Sequence, residues 1–191
     1  MVGNDIIDVR KAREEFRQKH PRFIGKLFTA AEQSYIEESS DRILMLWRLW
    51  SIKESAYKLF IQQGGQRFFN PQKIKCVVDG NDSLASIDAF SCKVTSKITS
   101  DYIFSYTPTP NDSVISKQIQ MESINRLEQS KALCFLLREE VSKHLNLSAD
   151  EVSIKKNTKG VPLLYVNNTR LNYSMSLSHH GNFGAYSICK S

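Results

Sequence analysis

Three short stretches of this chain combine acids, amines and hydroxyls at spacings that could do chemistry. The first is Gly3-Asn4-Asp5, near the start of the chain. An acid that follows a glycine at a strand end could ligate a hard cation such as Mg²⁺, which prefers carboxylate oxygens. Asp5 could equally be a turn residue or a helix N-cap, and the stretch alone leaves both interpretations open.

The second stretch, LWSIKESAYK at 49–58, places a Lys–Glu pair inside an aromatic-rich helix. At helical spacing, Lys53 and Glu54 are the only charges on two stripes otherwise made of Leu, Ile, Phe, Tyr and Trp. Glu54 and Lys58 could form a surface pair worth only ~0.2–0.5 kcal/mol. The apolar surroundings favour a partner, a metal or a ligand instead, because unpaired burial of a charge is costly. The helix alone leaves surface and functional roles equally open.

The third stretch, Ser176-Leu177-Ser178-His179-His180-Gly181, alternates hydroxyls along a strand that ends at imidazoles. Hydroxyls and an imidazole at a strand end suit phosphate binding, whereas the alternative is a solvated turn. A basic loop at 155–162, KKNTKGVP, is a further phosphate-contact candidate or a solvated loop.

Composition indicates a globular protein without a membrane segment. Hydrophobic residues make up 41% and charged residues 24% of the 191 residues, and no apolar run approaches membrane-spanning length. The start lacks a secretory signal, and four scattered cysteines argue against a zinc site and for reduced thiols, so we expect a cytoplasmic protein. The net charge of +6 favours an anionic partner, although it is equally compatible with a merely basic surface.

Periodicity predicts two units joined by the Pro-, Thr- and Asn-rich linker at 107–115. In the first unit, 1–115, we expect a first strand, a charged helix that stops at Pro21, a helix capped by Thr29 and Glu32, and a helix at 41–62. Its predicted strands are 72–79, 86–95 and 101–107. In the second unit, 116–191, we expect a helix at 118–146 and strands near 152–156, 162–166, 171–178 and 183–189. Segments 95–107 and 175–188 echo each other, with Tyr102 matching Phe183, which suggests related lobes.

Together, these stretches resemble the 4′-phosphopantetheinyl transferases of the holo-acyl-carrier-protein synthase type. That family carries a G-x-D element, a W-x-x-K-E-[SA]-x-x-K helix and an S-x-S-H strand. The helix motif is the specific one, and the sequence matches it at every defined position: Trp50, Lys53, Glu54, Ser55 and Lys58. The resemblance runs from residue 2 to about 189.

The resemblance implies an α+β fold of two similar α/β lobes, a pseudo-dimer in which each lobe packs a small antiparallel sheet with helices. Lobe 1–115 would carry the metal and catalytic motifs, and lobe 116–191 the basic Gly-x-Pro turn and the coenzyme A motif. This order is the reverse of that in the long family members. We therefore expect a monomer with permuted lobes; the alternative is a short-type synthase with a long insertion that forms trimers.

The resemblance also implies an activity, the Mg²⁺-dependent transfer of 4′-phosphopantetheine from coenzyme A to a serine of an acidic apo carrier protein, with release of 3′,5′-ADP. Asp5 and Glu54 would hold the metal. Glu54 would take the serine proton, directly or through a bound water, and Lys58 would stabilise the diphosphate charge. The basic segment 10–22 would dock the carrier.

Ser178 and His179 would contact coenzyme A phosphates, with Lys131 and Lys159 as further candidates. The role of Lys53, structural pairing or ligand contact, stays open. Two positions depart from the family: Ile7 stands where long members often have a second acid, and Val161 stands at the lysine of the G-K-P turn. A degenerate homologue and a basic non-enzymatic module are the alternatives; the latter would bind nucleic acid, which we do not expect because no such motif is recognised.

Overall fold

The computed structural model describes residues 1–17, 22–109 and 114–190. The helices are α1 (Val9–Arg17), α2 (Phe23–Leu27), α3 (Ala30–Glu38), α4 (Arg42–Gln62) and α5 (Arg126–Leu145). The strands are β1 (Asn4–Asp8), β2 (Lys75–Asp79), β3 (Asp82–Ile87), β4 (Phe90–Ile98), β5 (Tyr102–Tyr106), β6 (Ile115–Gln120), β7 (Val152–Lys156), β8 (Pro162–Val166), β9 (Thr169–Arg170), β10 (Tyr173–His180) and β11 (Phe183–Lys190). Short 3-10 helices span Pro71–Lys73 and Ala149–Glu151. Within these ranges, no helix has both the length and the apolar character needed to cross a bilayer.

In the first lobe, α4 packs across a five-stranded antiparallel sheet with the order β1-β5-β4-β3-β2. Leu49, Ile52 and Ala56 are fully buried, which the helical period of 3.6 residues explains because it places them on one face. They belong to the same core cluster as Ile87 and Ile103 of the sheet. The sequence prediction of a helix at 41–62 agrees with the observed helix to within one residue.

In the second lobe, α5 packs with two three-stranded antiparallel sheets of order β10-β11-β6 and β7-β8-β9. Leu133, Leu137 and Val141 follow each other at intervals of four residues and are buried on one face of α5, in a cluster with Met175 and Tyr186. The helix ends at a residue in the left-handed conformation, which terminates it without a glycine.

The two lobes repeat one strand arrangement. In each, the first strand pairs with the last, and the last pairs with its hairpin partner, giving β1-β5-β4 and β6-β11-β10. The echoing segments 95–107 and 175–188 contain these two hairpins, and Tyr102 and Phe183 both begin the second strand of their hairpin. Their ring centroids are 5.4 Å apart. This confirms the predicted α+β fold of antiparallel sheets and helices in two similar lobes.

Strand β1 pairs with β5 on one edge and meets β10 on the other through side chains. Three backbone N–H groups donate to side chains of β10: that of Val2, just before β1, to Ser174 Oγ at 2.8 Å, and those of Asn4 and Asp8 in β1 to Ser176 Oγ at 2.9 Å and His180 Nδ1 at 3.0 Å. All three pairs are 172 residues apart in sequence. We call this set the side-chain ladder. It satisfies an open strand edge inside the protein, where unpaired N–H groups would be costly.

Two predicted elements are wrong. The predicted strand 86–95 is two strands, because β3 ends at Ile87 and the chain reverses at Asp88, whose φ is 51°. The predicted helix 118–146 is strand β6 followed by α5, because β6 pairs with β11, a partner that local periodicity cannot show. The capping box at Thr29 and Glu32 is confirmed. The predicted helix stop at Pro21 and residues 110–113 of the predicted linker lie outside the described residues.

Candidate active site

The first two motifs meet because β1 and α4 approach each other very closely at Gly3. A Cβ atom on Gly3 would lie 2.0 Å from the carbonyl oxygen of Ser55, so no other residue fits without moving the backbone. Two residues further along β1 is Asp5, and one helical turn on each side of Ser55 lie Ser51 and Leu59. The G-x-D glycine therefore has a packing reason: it lets the acid that follows lie beside the helix.

Asp5, Glu54 and Lys58 form one charged cluster between β1 and α4. The Lys58 ammonium lies 3.2 Å from Asp5 Oδ1 and donates to the carbonyl oxygen of Asn4 at 2.7 Å. Asp5 is only 8% exposed, and its Oδ2 is buried with no hydrogen-bond partner among the described residues. Burial raises the pKa of Asp5 against the opposing charge of Lys58. One oxygen of this carboxylate is thus held inside the protein without a donor, which is costly.

Glu54 is the second carboxylate of the cluster. Burial and then the negative charge of Asp5 raise the pKa of Glu54 to about 7, although Lys58 opposes the rise. One lysine therefore faces two carboxylates, and the cluster lacks positive charge when both are ionised. Two largely buried carboxylates, one with an unpartnered oxygen, fit a hard divalent cation, which would supply the missing charge.

No other side chain of β1 adds a free carboxylate to Asp5 and Glu54. Ile7 is 3% exposed and packs in the core of the first lobe, so it leaves no polar position there. Asp8 accepts the N–H groups of Lys11 and Asn182 at 2.9 and 2.8 Å and is fully engaged at the end of β1. Among the described residues, no group of three or more His, Cys, Asp and Glu side chains is arranged to hold a metal ion. A metal here would rely on Asp5 and Glu54 alone for protein ligands.

Lys53 is engaged in a different, closed cluster. Its ammonium lies 2.8 Å from Glu32 Oε2 and donates to the carbonyl oxygens of Pro71 at 2.9 Å and Ile74 at 2.6 Å. The side chains of Lys53 and Glu32 are 1% and 0% exposed. Because an ammonium has three N–H donors, these oxygens use all of them. The contacts favour structural pairing over the predicted coenzyme A contact for this residue.

Glu32 completes that closed cluster. Its carboxylate also accepts the N–H of Thr29 at 2.8 Å and the N–H of Cys76 at 2.9 Å. One buried ion pair thus connects α3, α4 and strand β2, which are far apart in sequence. Both charges have their hydrogen bonds satisfied, which is the condition for burying them.

The S-x-S-H stretch divides between two faces of β10. Ser176 belongs to the side-chain ladder. Ser178 is the next residue on the same face of β10, and the offset of 172 residues between ladder partners places it opposite Ile6. The Ser178 hydroxyl is buried and has no hydrogen-bond partner in the described part of the chain. His179 points to the other face and is half-buried; burial and then the charges of Arg126 and Lys58 lower its pKa. Ser178 thus retains an unused hydroxyl, and His179 lies within the electrostatic reach of Lys58.

A cleft of about 180 Å³ lies next to Lys58, between α4 and the β7–β8 turn with β10. Four cationic side chains line it: Lys58, Arg67, Lys156 and Lys159. Apolar side chains, among them Val161 and Leu177, form the rest of the wall. The described lining contains no acid, so the cleft suits an anionic ligand with an apolar part.

Lys159 and Arg67 connect the lobes across this cleft. Lys159 Nζ donates to the carbonyl oxygens of Gly64 and Gly65 at 2.9 and 3.0 Å, just beyond the C-terminus of α4. Arg67 in turn donates to the carbonyl oxygen of Lys159. Sequence reasoning missed Arg67, because its only local signal is its position after the Gly64–Gly65 helix stop. Lys131 is exposed on α5 and is not among the residues that line the cleft.

Comparisons with known proteins agree with the motifs. Residues 1–107 match the family model of the 4′-phosphopantetheinyl transferase superfamily. No curated protein is significantly similar to the chain in sequence.

Three holo-[acyl-carrier-protein] synthases are among the solved structures that the chain matches, all with TM-scores below 0.5. A holo-[acyl-carrier-protein] synthase from Neisseria meningitidis has a TM-score of 0.44 and 12% identity, covering 56% of this chain and 94% of that one. The Thermotoga maritima synthase has a TM-score of 0.41 and 9% identity, covering 88% and 83%. The Helicobacter pylori synthase in complex with coenzyme A has a TM-score of 0.29 and 12% identity, covering all of both chains.

Proposed function

The chain belongs to the 4′-phosphopantetheinyl transferase superfamily, and on that premise we propose that it transfers the 4′-phosphopantetheine arm of coenzyme A to a serine of an apo carrier protein. The observation that carries this proposal is the open cluster of Asp5, Glu54 and Lys58 beside a cationic cleft. The reaction needs a proton acceptor and positive charge at a diphosphate, and this cluster offers both.

Glu54 is the proposed proton acceptor. With a pKa of about 7, its carboxylate exchanges protons near neutral pH, which is the range in which a general base works best. The serine oxygen forms a bond to the pantetheine phosphorus while the bond from that phosphorus to the diphosphate bridge breaks. The serine proton passes to Glu54, and 3′,5′-ADP leaves with the bridging oxygen. Lys58, already 3.2 Å from Asp5, is placed to balance charge on the departing phosphate.

Asp5 and Glu54 are the residues that would hold Mg²⁺. The unpartnered Oδ2 of Asp5 and the raised pKa of Glu54 both indicate a pair of carboxylates that lacks a cation. When bound, Mg²⁺ would supply positive charge for the diphosphate oxygens.

Coenzyme A would lie in the cleft between the lobes. Arg67, Lys156 and Lys159 provide charge for its phosphates, and Val161 and Leu177 provide apolar surface for the adenosine. Ser178 has a free hydroxyl and His179 lies near Lys58, so both stay candidates for phosphate contacts. Lys131, exposed on α5, is the weakest of the predicted ligands.

The proposal also covers the boundary between the lobes, the oligomeric state and the partner. We place the boundary between the lobes near residue 115 and expect a monomer, because the cleft is formed within one chain. The partner is an acidic carrier protein, and the exposed basic residues Arg10 and Lys11 on α1 contribute to attracting it. A cytoplasmic location is also part of the proposal, supported by four cysteines that are free thiols.

The test is direct. Wild-type protein is incubated with coenzyme A, Mg²⁺ and a panel of apo carrier proteins from fatty-acid, polyketide and peptide synthesis. Intact-mass measurement should show one added phosphopantetheine group on at least one carrier, and replacing the acceptor serine with alanine should prevent it. If no carrier in the panel is modified, the proposal is wrong.

A further inference from the structure

The loop that follows α4 holds one aromatic ring inside and presents the next one to solvent. The Tyr57 hydroxyl accepts the N–H of Phe68 and donates to its carbonyl oxygen, both at 3.2 Å. The Phe68 ring packs edge-on against Tyr57 and Phe60, with centroids 5.2 and 6.0 Å apart. Both the N–H and the carbonyl oxygen of Phe68 are therefore held by the Tyr57 hydroxyl.

Phe69, the next residue, is 98% exposed. Among the described residues, no other large hydrophobic side chain is as exposed. The anchoring of Phe68 means that this exposure belongs to the ordered loop and does not come from a frayed end. Aromatic residues, Phe among them, are enriched in the cores of protein interfaces relative to the rest of the surface.

Phe69 lies beside the proposed proton acceptor. A cavity of about 140 Å³ separates the loop from α4, and its walls include Phe69, Trp50 and Glu54. A serine that reaches Glu54 through this cavity brings its neighbouring residues onto Phe69. The cavity wall is mainly aromatic and aliphatic, so it fits an apolar side chain next to the acceptor serine.

The surroundings of Phe69 are basic. The segment 66–75 contains Arg67, Lys73 and Lys75 and no acid. Lys73 Nζ lies 5.6 Å from the centroid of the Phe68 ring, and both Lys73 and Lys75 are exposed. An apolar anchor with a basic rim is complementary to an acidic protein surface that carries one exposed apolar residue.

We propose that the Phe69 surface, which consists of Arg67, Phe69, Lys73 and Lys75, docks the carrier protein around its acceptor serine. An apolar side chain beside the serine packs on Phe69 and enters the cavity, and acidic side chains of the carrier face the lysines. This inference rests on the proposed function for the identity of the partner. The inference goes beyond the proposed function by assigning carrier docking to the surface that follows the C-terminus of α4. This surface is remote in sequence from the basic residues of α1.

Steady-state kinetics test the surface, with the carrier and coenzyme A each varied while the other is saturating. Phe69→Ala should lower kcat/KM for the carrier about tenfold or more through KM, as expected for loss of an interface anchor, and leave KM for coenzyme A unchanged. Phe69→Leu should recover part of the loss. Lys73→Glu should weaken the carrier interaction and reduce its salt dependence. Phe135→Ala, which removes a ring that is 56% exposed on α5, is the matched control and should have no effect.

Two outcomes would overturn the inference. If Phe69→Ala raises KM for coenzyme A and not for the carrier, the cavity binds the pantetheine arm. If Phe69→Ala behaves as Phe135→Ala does, the surface has no role in docking.

Carrier binding, measured by biolayer interferometry without coenzyme A, separates this inference from the proposed function. If wild type binds an apo carrier without modifying it and Phe69→Ala loses binding, the docking surface is supported and the enzymatic proposal fails. If wild type binds and modifies the carrier while Phe69→Ala binds equally well, only the docking surface fails. If wild type neither binds nor modifies any carrier in the panel, both are wrong.

Discussion

Helix α4 carries two charged clusters on neighbouring residues, and they differ in how fully their charges are satisfied. Lys53 has three oxygen partners and Glu32 has three donors, all inside the protein. Glu54 and Asp5 share one lysine, and one Asp5 oxygen has no partner. The closed cluster holds the helix in place, whereas the open one is the proposed site of chemistry. Lys53 and Glu54, adjacent in one motif, thus belong to clusters of different character.

The largest expected effect comes from neutralising the open cluster. Asp5→Asn or Glu54→Gln should each reduce transfer by at least about 10²–10⁴-fold, as for loss of a general base or of a ligand at a charged site. Thermal stability should stay the same or rise, because each change removes repulsion between the two buried carboxylates. The intact-mass assay and a thermal melt measure the two effects.

The exposed acid Glu37 on α3 offers a matched control for these substitutions. Glu37→Gln should leave both activity and melting temperature unchanged. Near wild-type transfer by Asp5→Asn or Glu54→Gln would contradict the division between the clusters.

Breaking the closed cluster should chiefly destabilise the fold. Lys53→Met leaves the Glu32 carboxylate buried without its counter-charge and should lower the free energy of unfolding by about 3–5 kcal/mol. Adding Glu32→Gln should restore part of this, because it removes the unpaired charge. Urea denaturation measures both variants. The exposed lysine variant Lys143→Met should change stability by no more than about 0.5 kcal/mol. A double variant no more stable than Lys53→Met would show that the ion pair is not the cause.

A smaller effect should appear in the pH dependence of stability without Mg²⁺. The pKa of Glu54 is raised from 4.5 to about 7, so the folded state holds this proton more tightly than the unfolded state does. Stability from this group is therefore fully present at low pH and falls as the pH rises from about 4.5 to 7. The raised pKa of Asp5 acts in the same direction. Thermal melts should show this decline in wild type and a shallower one in Glu54→Gln.

The response to Mg²⁺ provides a second comparison of the stability of wild type and Glu54→Gln. At about pH 8, where Glu54 is ionised, Mg²⁺ should raise the melting temperature of wild type and should have little effect on Glu54→Gln. Removing the metal with EDTA should reverse the gain. An equal response of both proteins would argue against Glu54 as a ligand.

The sequence predicted the elements of the site better than it predicted their packing. Apolar spacing predicted the 41–62 helix to within one residue, and the motif residues Asp5, Glu54 and Lys58 lie in one cluster. The reason for Gly3 was not visible, because the close approach to Ser55 depends on how β1 crosses α4. Local sequence patterns predict which helix or strand a segment can form, but not which distant segment it packs against.

The role of Lys53 shows the same limit. Its partner Glu32 serves a capping box, which the sequence revealed, but nothing in the sequence showed that the same carboxylate would also receive a lysine from α4. Strand β6 was missed because its pairing with β11 involves residues more than sixty positions away. Arg67 was missed because its contact with Lys159 exists only after the lobes have packed.

The side-chain ladder between β1 and β10 has a consequence for the shape of the molecule. Had the two strands bonded backbone to backbone, the two sheets would have fused into one continuous surface with a spacing of about 4.8 Å at the seam. The hydroxyls of Ser174 and Ser176 and the imidazole of His180 act as spacers of different length that break this continuity. A seam built from spacers keeps the two sheets separate, and Ser176, one of its members, also lines the cationic cleft beside α4.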